Sequence, residues 1–245
     1  MSDRISGVPL YTVDEYSEKS SDYCVLIPII NEKGRIDAEL LKAKTANIDK
    51  VADIVICDGG STDGCTDAEL LKELGVNTLL TKTDKGKQGA QLRMGFDWAI
   101  KRGYSGFITI DGNNKDSIED IPNFIKKLEE GYDLIQGSRF LKGGKAINTP
   151  PFRLVSVRLI HAPIISLTAH QWFTDTTNAY RAYSKKYITD ERVDIFRDIF
   201  DTYELLAYLS VRATQLKMKA CEIPVTRAYP KDEETPTKIK GLKGN

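Results

Sequence analysis

Two short acidic segments, each beside glycine, are where this sequence could do chemistry. Asp58-Gly59-Gly60-Ser61-Thr62-Asp63-Gly64 follows the apolar run 54–57. Its glycines let the chain turn sharply and leave Asp58 and Asp63 at the mouth of that run. A carboxylate there can accept hydrogen bonds from a nucleobase imide or a ribose hydroxyl. It can equally close an Asx-turn and cap the next helix. Asp111-Gly112-Asn113-Asn114-Lys115-Asp116 follows the apolar run 107–110. An acidic residue at the end of a buried strand, next to glycine, is placed to meet a divalent metal and a pyrophosphate. Arg139, in Gly137-Ser138-Arg139-Phe140, and Lys85 and Lys87, around Gly86, add cations that match phosphate oxygens. The two lysines read as well as solvated charges ahead of a helix.

Other sites are missing. No Gly-x-Gly-x-x-Gly follows the first apolar run and no Gly-x-x-x-x-Gly-Lys-Ser/Thr occurs, which excludes the dinucleotide fingerprint and the P-loop. The two histidines, His161 and His170, sit in an apolar stretch and are expected in the core or at an interface rather than on a metal. Cys24, Cys57, Cys65 and Cys221 form no Cys-x-x-Cys pair, so free thiols are expected and a structural zinc is not.

The segments need elements to hold them. Residues 23–30, 54–57, 77–81, 107–110 and 133–136 are short apolar runs and read as buried strands. Between them, 35–51, 66–75 (capped by Thr66 with Glu69 three residues on), 86–102 and 118–130 read as helices. That alternation predicts an α/β fold with a mostly parallel sheet, whose ligands bind beyond the carboxyl ends of the strands. The loops starting at Asn31, Asp58, Asp111 and Gly137 should therefore gather on one rim. Residues 1–20 are polar and read as an N-terminal arm. After residue 140 come a Gly/Lys/Pro loop, two short helices over 152–173, a strand at 179–184, a helix at 203–218, a strand at 221–228 and a polar tail over 231–245.

Lys plus Arg and Asp plus Glu number 35 each in 245 residues, so no global field draws the chain to nucleic acid. A composition 41% hydrophobic and 29% charged is that of a globular domain. Met1-Ser2-Asp3-Arg4 has no apolar run behind it, and no stretch reads as the roughly 18 apolar residues of a membrane span. The chain is expected to be cytoplasmic, attached to a membrane at most from its cytoplasmic side.

In this order and spacing the segments resemble a known family. The chain is similar, from about residue 23 to 240, to family 2 glycosyltransferases of the GT-A fold, most of all the polyprenol-phosphate mannose or glucose synthases. Pro28-Ile29-Ile30-Asn31-Glu32 is similar to the family's Pro-x-x-Asn-Glu. Asp58, Gly60, Ser61, Asp63 and Gly64 match its nucleotide-binding Asp-x-Gly-Ser-x-Asp-Gly. Lys87, Gly89, Ala90 and Gly95 fall at its Lys/Asn-x-Gly helix start, and Asp111-Gly112-Asn113 occupies the place of its metal-binding Asp-x-Asp. Gly137-Ser138-Arg139, the segment from Asp175 to Arg181, Glu204-Leu205, Glu222-Ile223-Pro224-Val225 with Arg227, and Thr235-Pro236-Thr237-Lys238 resemble its downstream motifs.

The resemblance implies a single GT-A (Rossmann-like) domain with a nucleotide-binding half over 21–140 and an acceptor-binding half over 141–230. It implies inverting transfer from a nucleotide-sugar to a polyprenyl phosphate or a cell-surface glycan precursor. Asp58 would hold base or ribose. Asp111, with any bound Mg or Mn, and Arg139, Arg227 or Lys238 would stabilise the leaving diphosphate. A phosphate acceptor needs no general base; a hydroxyl acceptor would, from Asp175, Asp201 or Glu204. Asp175 reads equally as a turn cap. Asn113 in place of the second aspartate, with Lys115 two residues on, predicts weak or absent metal dependence, Lys115 partly standing in for the ion opposite the pyrophosphate, unless Asp116 restores a carboxylate ligand. The stretch 152–173 could lay Arg153 and Arg158 toward lipid phosphate at a bilayer interface, form a homodimer surface, or be core. A nucleotidyltransferase lacks support, because its Gly-rich loop with Thr-Arg is missing. A nucleotide-binding accessory protein with a decayed metal motif is the alternative from another class.

Overall fold

The apolar runs fold as strands buried on both faces, as runs without polar alternation must. The computed structural model describes residues 7–230. Its first half contains β1 (Tyr11–Glu15), β2 (Tyr23–Ile29), α1 (Arg35–Thr45), β3 (Asp53–Asp58), α2 (Ala68–Glu73), β4 (Val76–Lys82), α3 (Gln88–Lys101), β5 (Gly106–Thr109), α4 (Ile121–Glu129) and β6 (Leu134–Ser138). The second contains β7 (Lys145–Ile147), α5 (Pro151–Ser156), α6 (Ala162–Ala169), β8 (Arg181–Ser184), α7 (Lys185–Ile188), α8 (Glu204–Gln215), β9 (Ala220–Pro224) and β10 (Thr226–Ala228).

Eight strands form one sheet in the order β1-β4-β3-β2-β5-β8-β6-β9. Only β1 and β8 run against their neighbours. The carboxyl ends of β2, β3, β5 and β6 thus share one edge, and the four loops expected on one rim are there. Side chains alternate between two cores across the pleat. Cys24 and Leu26 of β2 join Val55 and Cys57 of β3 beneath Leu92, Met94 and Phe96 of α3. Val25, Ile27 and Ile29 join Ile54 and Ile56 beneath Ile36, Leu40 and Ala43 of α1. Phe96 meets Phe107 and Tyr183 edge-on at 5.6 and 5.7 Å, the favoured geometry for aromatic quadrupoles.

The structure departs from the sequence reading in several places. Within the expected N-terminal arm, Tyr11–Glu15 is a strand paired with β4. Its side chains are largely exposed, so no apolar pattern announces it, although the Tyr11 hydroxyl donates to Asp97 at 2.9 Å. The helix expected over 35–51 ends at Thr45, and a 3-10 turn, Ile48–Lys50, follows Asn47 in the left-handed region at φ 55°. Asp67, not Thr66, caps α2, accepting from the Leu70 N–H at 2.9 Å. The expected strand 221–228 is split: β9 extends the main sheet, while β10 pairs in parallel with β7 as a separate ribbon.

The largest departure is at 152–173. The two expected helices are one helical run, α5 and α6 joined by a π-helical turn, Val157–His161. The wider turn lies just ahead of Pro163, whose ring and missing N–H would interrupt an α-helix running straight through. At 19 residues, Pro151–Ala169 is long and apolar enough to cross a membrane by length and composition, which the sequence reading did not expect because it broke the stretch at its polar residues and Pro163. Much of its apolar surface is unburied: Phe152 is 85% exposed, Leu167 78% and Leu159 72%.

Candidate active site

Beyond the carboxyl ends of β2, β3, β5 and β6 opens a cleft of about 770 Å³, of the size that holds a small organic ligand. Pro28, Glu32, Lys87, Asp111, Gly112, Asn113, Lys115, Arg139, Arg153 and Arg227 line it. Asn31, Asp58, Gly60, Ser61, Asp63, Gly89, Asp175 and Glu204 are not among the lining residues. Lys238 lies outside the described residues.

The glycine-rich loop braces the rim. Asp58 is buried, and its carboxylate accepts from the Gly60 N–H at 2.9 Å and the Ser61 N–H at 3.0 Å. The Ser61 hydroxyl accepts from the Asn31 N–H at 2.9 Å, and Asn31 Oδ1 accepts from the Thr62 N–H at 2.8 Å. Asp63 takes the Lys33 N–H at 2.8 Å and the Cys65 N–H at 3.1 Å. Asn31, Lys33, Ser61, Thr62 and Asp63 thus tie the loop after β2 to the loop after β3, while Asp58 closes a turn within its own loop. Gly89 serves similarly. A Cβ there would stand 2.2 Å from the Phe200 carbonyl oxygen, so the glycine lets the segment before α8 close over the start of α3.

The loop after β5 carries the polar centre of the cleft. Gly112 is required by close approach, since a Cβ would fall 2.5 Å from Ile29 Cγ2. Asn114 takes the left-handed region at φ 57°, where its N–H reaches Glu39 at 2.7 Å and its Oδ1 accepts from Lys42 at 2.7 Å. Asp111 is thus fixed at the mouth of β5. Gln88 donates to its Oδ1 at 2.7 Å and Arg227 to its Oδ2 at 3.2 Å. The other arm of Arg227 bonds Asp116, whose carboxyl is pushed up to about 6 by burial despite that guanidinium.

Arg139 is held by Asp175 in a buried bidentate pair, Nε to Oδ2 at 2.7 Å and Nη2 to Oδ1 at 2.9 Å. Both Asp175 oxygens are spent on that guanidinium, and its own N–H is held by Glu222 at 3.1 Å. This is the geometry of a group that positions Arg139, not of a free base. Glu204 is exposed at the start of α8 and accepts from the Thr202 hydroxyl at 2.5 Å and its N–H at 2.7 Å; the hydroxyl's bond above all keeps its carboxyl below the usual range.

Three cations surround the Tyr229 ring: Lys115 Nζ at 5.2 Å, Arg227 at 5.7 Å and Arg153 at 5.9 Å from its centre. Arg153 also donates to the phenol oxygen at 3.0 Å. Burial alone would raise the phenol's pKa, but the Arg227 and Arg153 charges outweigh it and hold it below the ordinary value. Sequence reasoning missed Tyr229, Gln88, Tyr203 and His161 as cleft residues. His161, read as a core or interface residue, lines the cleft from the π turn, with Nδ1 2.7 Å from the Thr176 hydroxyl. It ends the π turn, whose local signal, Pro163, reads from sequence as a helix break.

The residues fit a resident divalent metal poorly. Such ions take one or two carboxylates together with substrate phosphates. Here one carboxylate, Asp111, is engaged on both oxygens, and Asn113 offers a buried amide oxygen without a partner. Asp116, the carboxylate that could restore the site, is turned to Arg227. Among the described residues no group of three or more His, Cys, Asp or Glu could hold a metal.

A mostly parallel α/β sheet with a cleft at its carboxyl edge, matched by solved structures, defines the GT-A fold. The match to glucosyl-3-phosphoglycerate synthase of Mycobacterium tuberculosis, solved with Mn2+, UDP and glucosyl-3-phosphoglycerate, has a TM-score of 0.54 at 14% identity, over 86% of this chain and 72% of that one. At that identity the likeness is one of fold. Residues 24–192 match the family model described as glycosyl transferase family 2, and the chain belongs to that family. It is 28% identical to a polyprenol monophosphomannose synthase of Mycolicibacterium smegmatis, over 82% of this chain and 76% of that one. It is 29% identical to an undecaprenyl-phosphate mannosyltransferase of Micrococcus luteus, over 82% and 81%. The chain is a glycosyltransferase.

Proposed function

We propose that the chain moves a sugar, with inversion, from a nucleotide-sugar onto a polyprenyl phosphate at a membrane surface. The observation that carries this reading is the helical run 151–169. It turns Arg153 and His161 into the cleft and leaves Phe152, Leu159 and Leu167 exposed to solvent. An acceptor with an anionic head and an apolar tail matches both faces at once. The carboxylates support it as well. Asp175 is committed to Arg139 and Glu204 is outside the cleft, so neither is free to deprotonate a hydroxyl. A phosphate oxygen is ionised already. The names of the two relatives above, both acting on polyprenyl phosphates, agree.

In this reading Arg139 and Arg227, the latter held in place by Asp111, meet the donor diphosphate, Arg153 meets the acceptor phosphate, and dependence on Mg or Mn is weak or absent. Lys87 and Glu32 flank the donor. The protein works from the cytoplasmic face, where nucleotide-sugars are available, attached peripherally through 152–173. The test is to incubate it with a panel of nucleotide-sugars and a short-chain polyprenyl phosphate, following lipid-linked sugar and free nucleoside diphosphate together. Transfer to the lipid phosphate with one donor supports the reading. Transfer only to hydroxyl acceptors replaces it by a second one, favoured by His161, the one imidazole in the cleft. Donor binding with no transfer to any acceptor leaves an accessory role. A concentration-dependent dimer through 152–173, without vesicle binding, would replace the membrane contact by self-association.

A further inference from the structure

We propose that Lys115 and Arg227 supply, as fixed charges, the neutralisation that a divalent cation supplies in metal-dependent transferases, so that the donor diphosphate is bound and released without a resident metal. This rests on the nucleotide-sugar reading above and names the groups that serve it.

Arg227 already occupies the side of Asp111 that a metal would need. It cannot swing away cheaply. Its second arm holds buried Asp116 and reaches Asn178 Oδ1 at 3.4 Å, and its backbone forms a bridge to Asp116. Removing it would strand a buried carboxylate. Position 113 contributes a neutral amide where a second carboxylate would be needed, and the next cleft-lining residue, Lys115, brings a positive charge instead. Lys115 is only 8% exposed. Its ammonium packs over Tyr229 and makes no ion pair among the described residues. A buried ammonium at a cleft wall, without a carboxylate partner, is available to an anion.

The step these charges serve is simple. The bond between the sugar C1 and the diphosphate oxygen breaks, and its electron pair stays on that oxygen. An acceptor phosphate oxygen forms the new bond to C1, and no proton moves. The departing nucleoside diphosphate gains one negative charge, beside Lys115 and Arg227.

The test measures binding of UDP, GDP and CDP to the full chain by calorimetry, with EDTA and with Mn2+, for wild type, Lys115→Gln, Lys115→Arg and the double variant Asn113→Asp/Lys115→Gln. Wild type should bind one of the three within about threefold under both conditions. Lys115→Gln should lose about 10- to 100-fold in EDTA, and Lys115→Arg should retain most of the affinity. The double variant should stay weak with Mn2+ as well, because Arg227 still holds Asp111; full rescue by Mn2+ would overturn the part assigned to Arg227. Wild-type binding that vanishes in EDTA and returns with Mn2+ overturns the inference and leaves the donor reading standing. Equal affinity for wild type and Lys115→Gln, with both folded by their urea transitions, also overturns it. No binding under either condition brings down both.

Discussion

Arg139 and Asp175 illustrate how charge in this cleft is positioned before a ligand arrives. The pair is buried and bidentate, so removing one member leaves the other charged without a partner. Asp175→Asn should cost about 3–5 kcal/mol in urea unfolding, and Arg139 should lose its aim, lowering transfer as well. Asp111→Asn keeps the shape but removes the negative charge that holds Arg227 and Gln88 in place. Turnover at saturating donor should fall about 10²-fold, with a far smaller loss of stability. Some of this was legible in the sequence. Asp111, Arg139 and Arg227 sit in motifs at or beside strand ends, and strand ends place residues locally. Asp58, Ser61 and Asp63 satisfied two readings in the sequence, and the bonds of Ser61 to Asn31 and of Asp63 to Lys33, which come from another loop, were not legible there. Tyr229 was invisible because its neighbours, Lys115 and Arg153, come from distant segments.

Among the elements, α3 shows the narrowest tolerance. It lies between the sheet and the segment before α8, so both of its glycines are contacts. A Cβ on Gly95 would stand 2.7 Å from Cys57 Sγ. Gly95→Ala should therefore destabilise by about 1–3 kcal/mol through overpacking, measured by urea denaturation, while leaving the cleft residues in place. The π turn makes a pH prediction. Burial, and after it the Arg181 charge, hold His161 below its ordinary pKa of 6.5. The unfolded chain therefore takes up this proton first as pH falls. The contribution to stability is complete above about 6.5 and is lost as pH drops from there toward the folded value. Going from pH 7.5 to 5.5 should be more destabilising, or less stabilising, for wild type than for His161→Gln, the raised Asp116 carboxyl contributing in the opposite sense to both. Equal differences would remove His161 from the account. The α/β alternation was legible because buried parallel strands need apolar runs. β1 was not, because an edge strand facing water looks like a polar arm, and the 151–169 helix was not, because a π turn absorbs the proline that should have ended it.

At the scale of the whole molecule, the sheet sets a cleft on one edge and the helical run sets an unburied apolar face beside it. Leu159→Asp with Leu167→Asp should abolish flotation of the protein with anionic phospholipid vesicles while leaving calorimetric binding of its nucleotide unchanged. Flotation equal to wild type would detach that face from any lipid. On the membrane-surface reading proposed above, the exposed face also changes what concentration means for this enzyme. A catalyst held on a bilayer meets its acceptor in two dimensions, at a density per unit area. Diluting the acceptor with inert lipid, at constant total acceptor in the tube, should then slow turnover in proportion to its mole fraction in the surface, while diluting the vesicles with buffer should scarcely slow it.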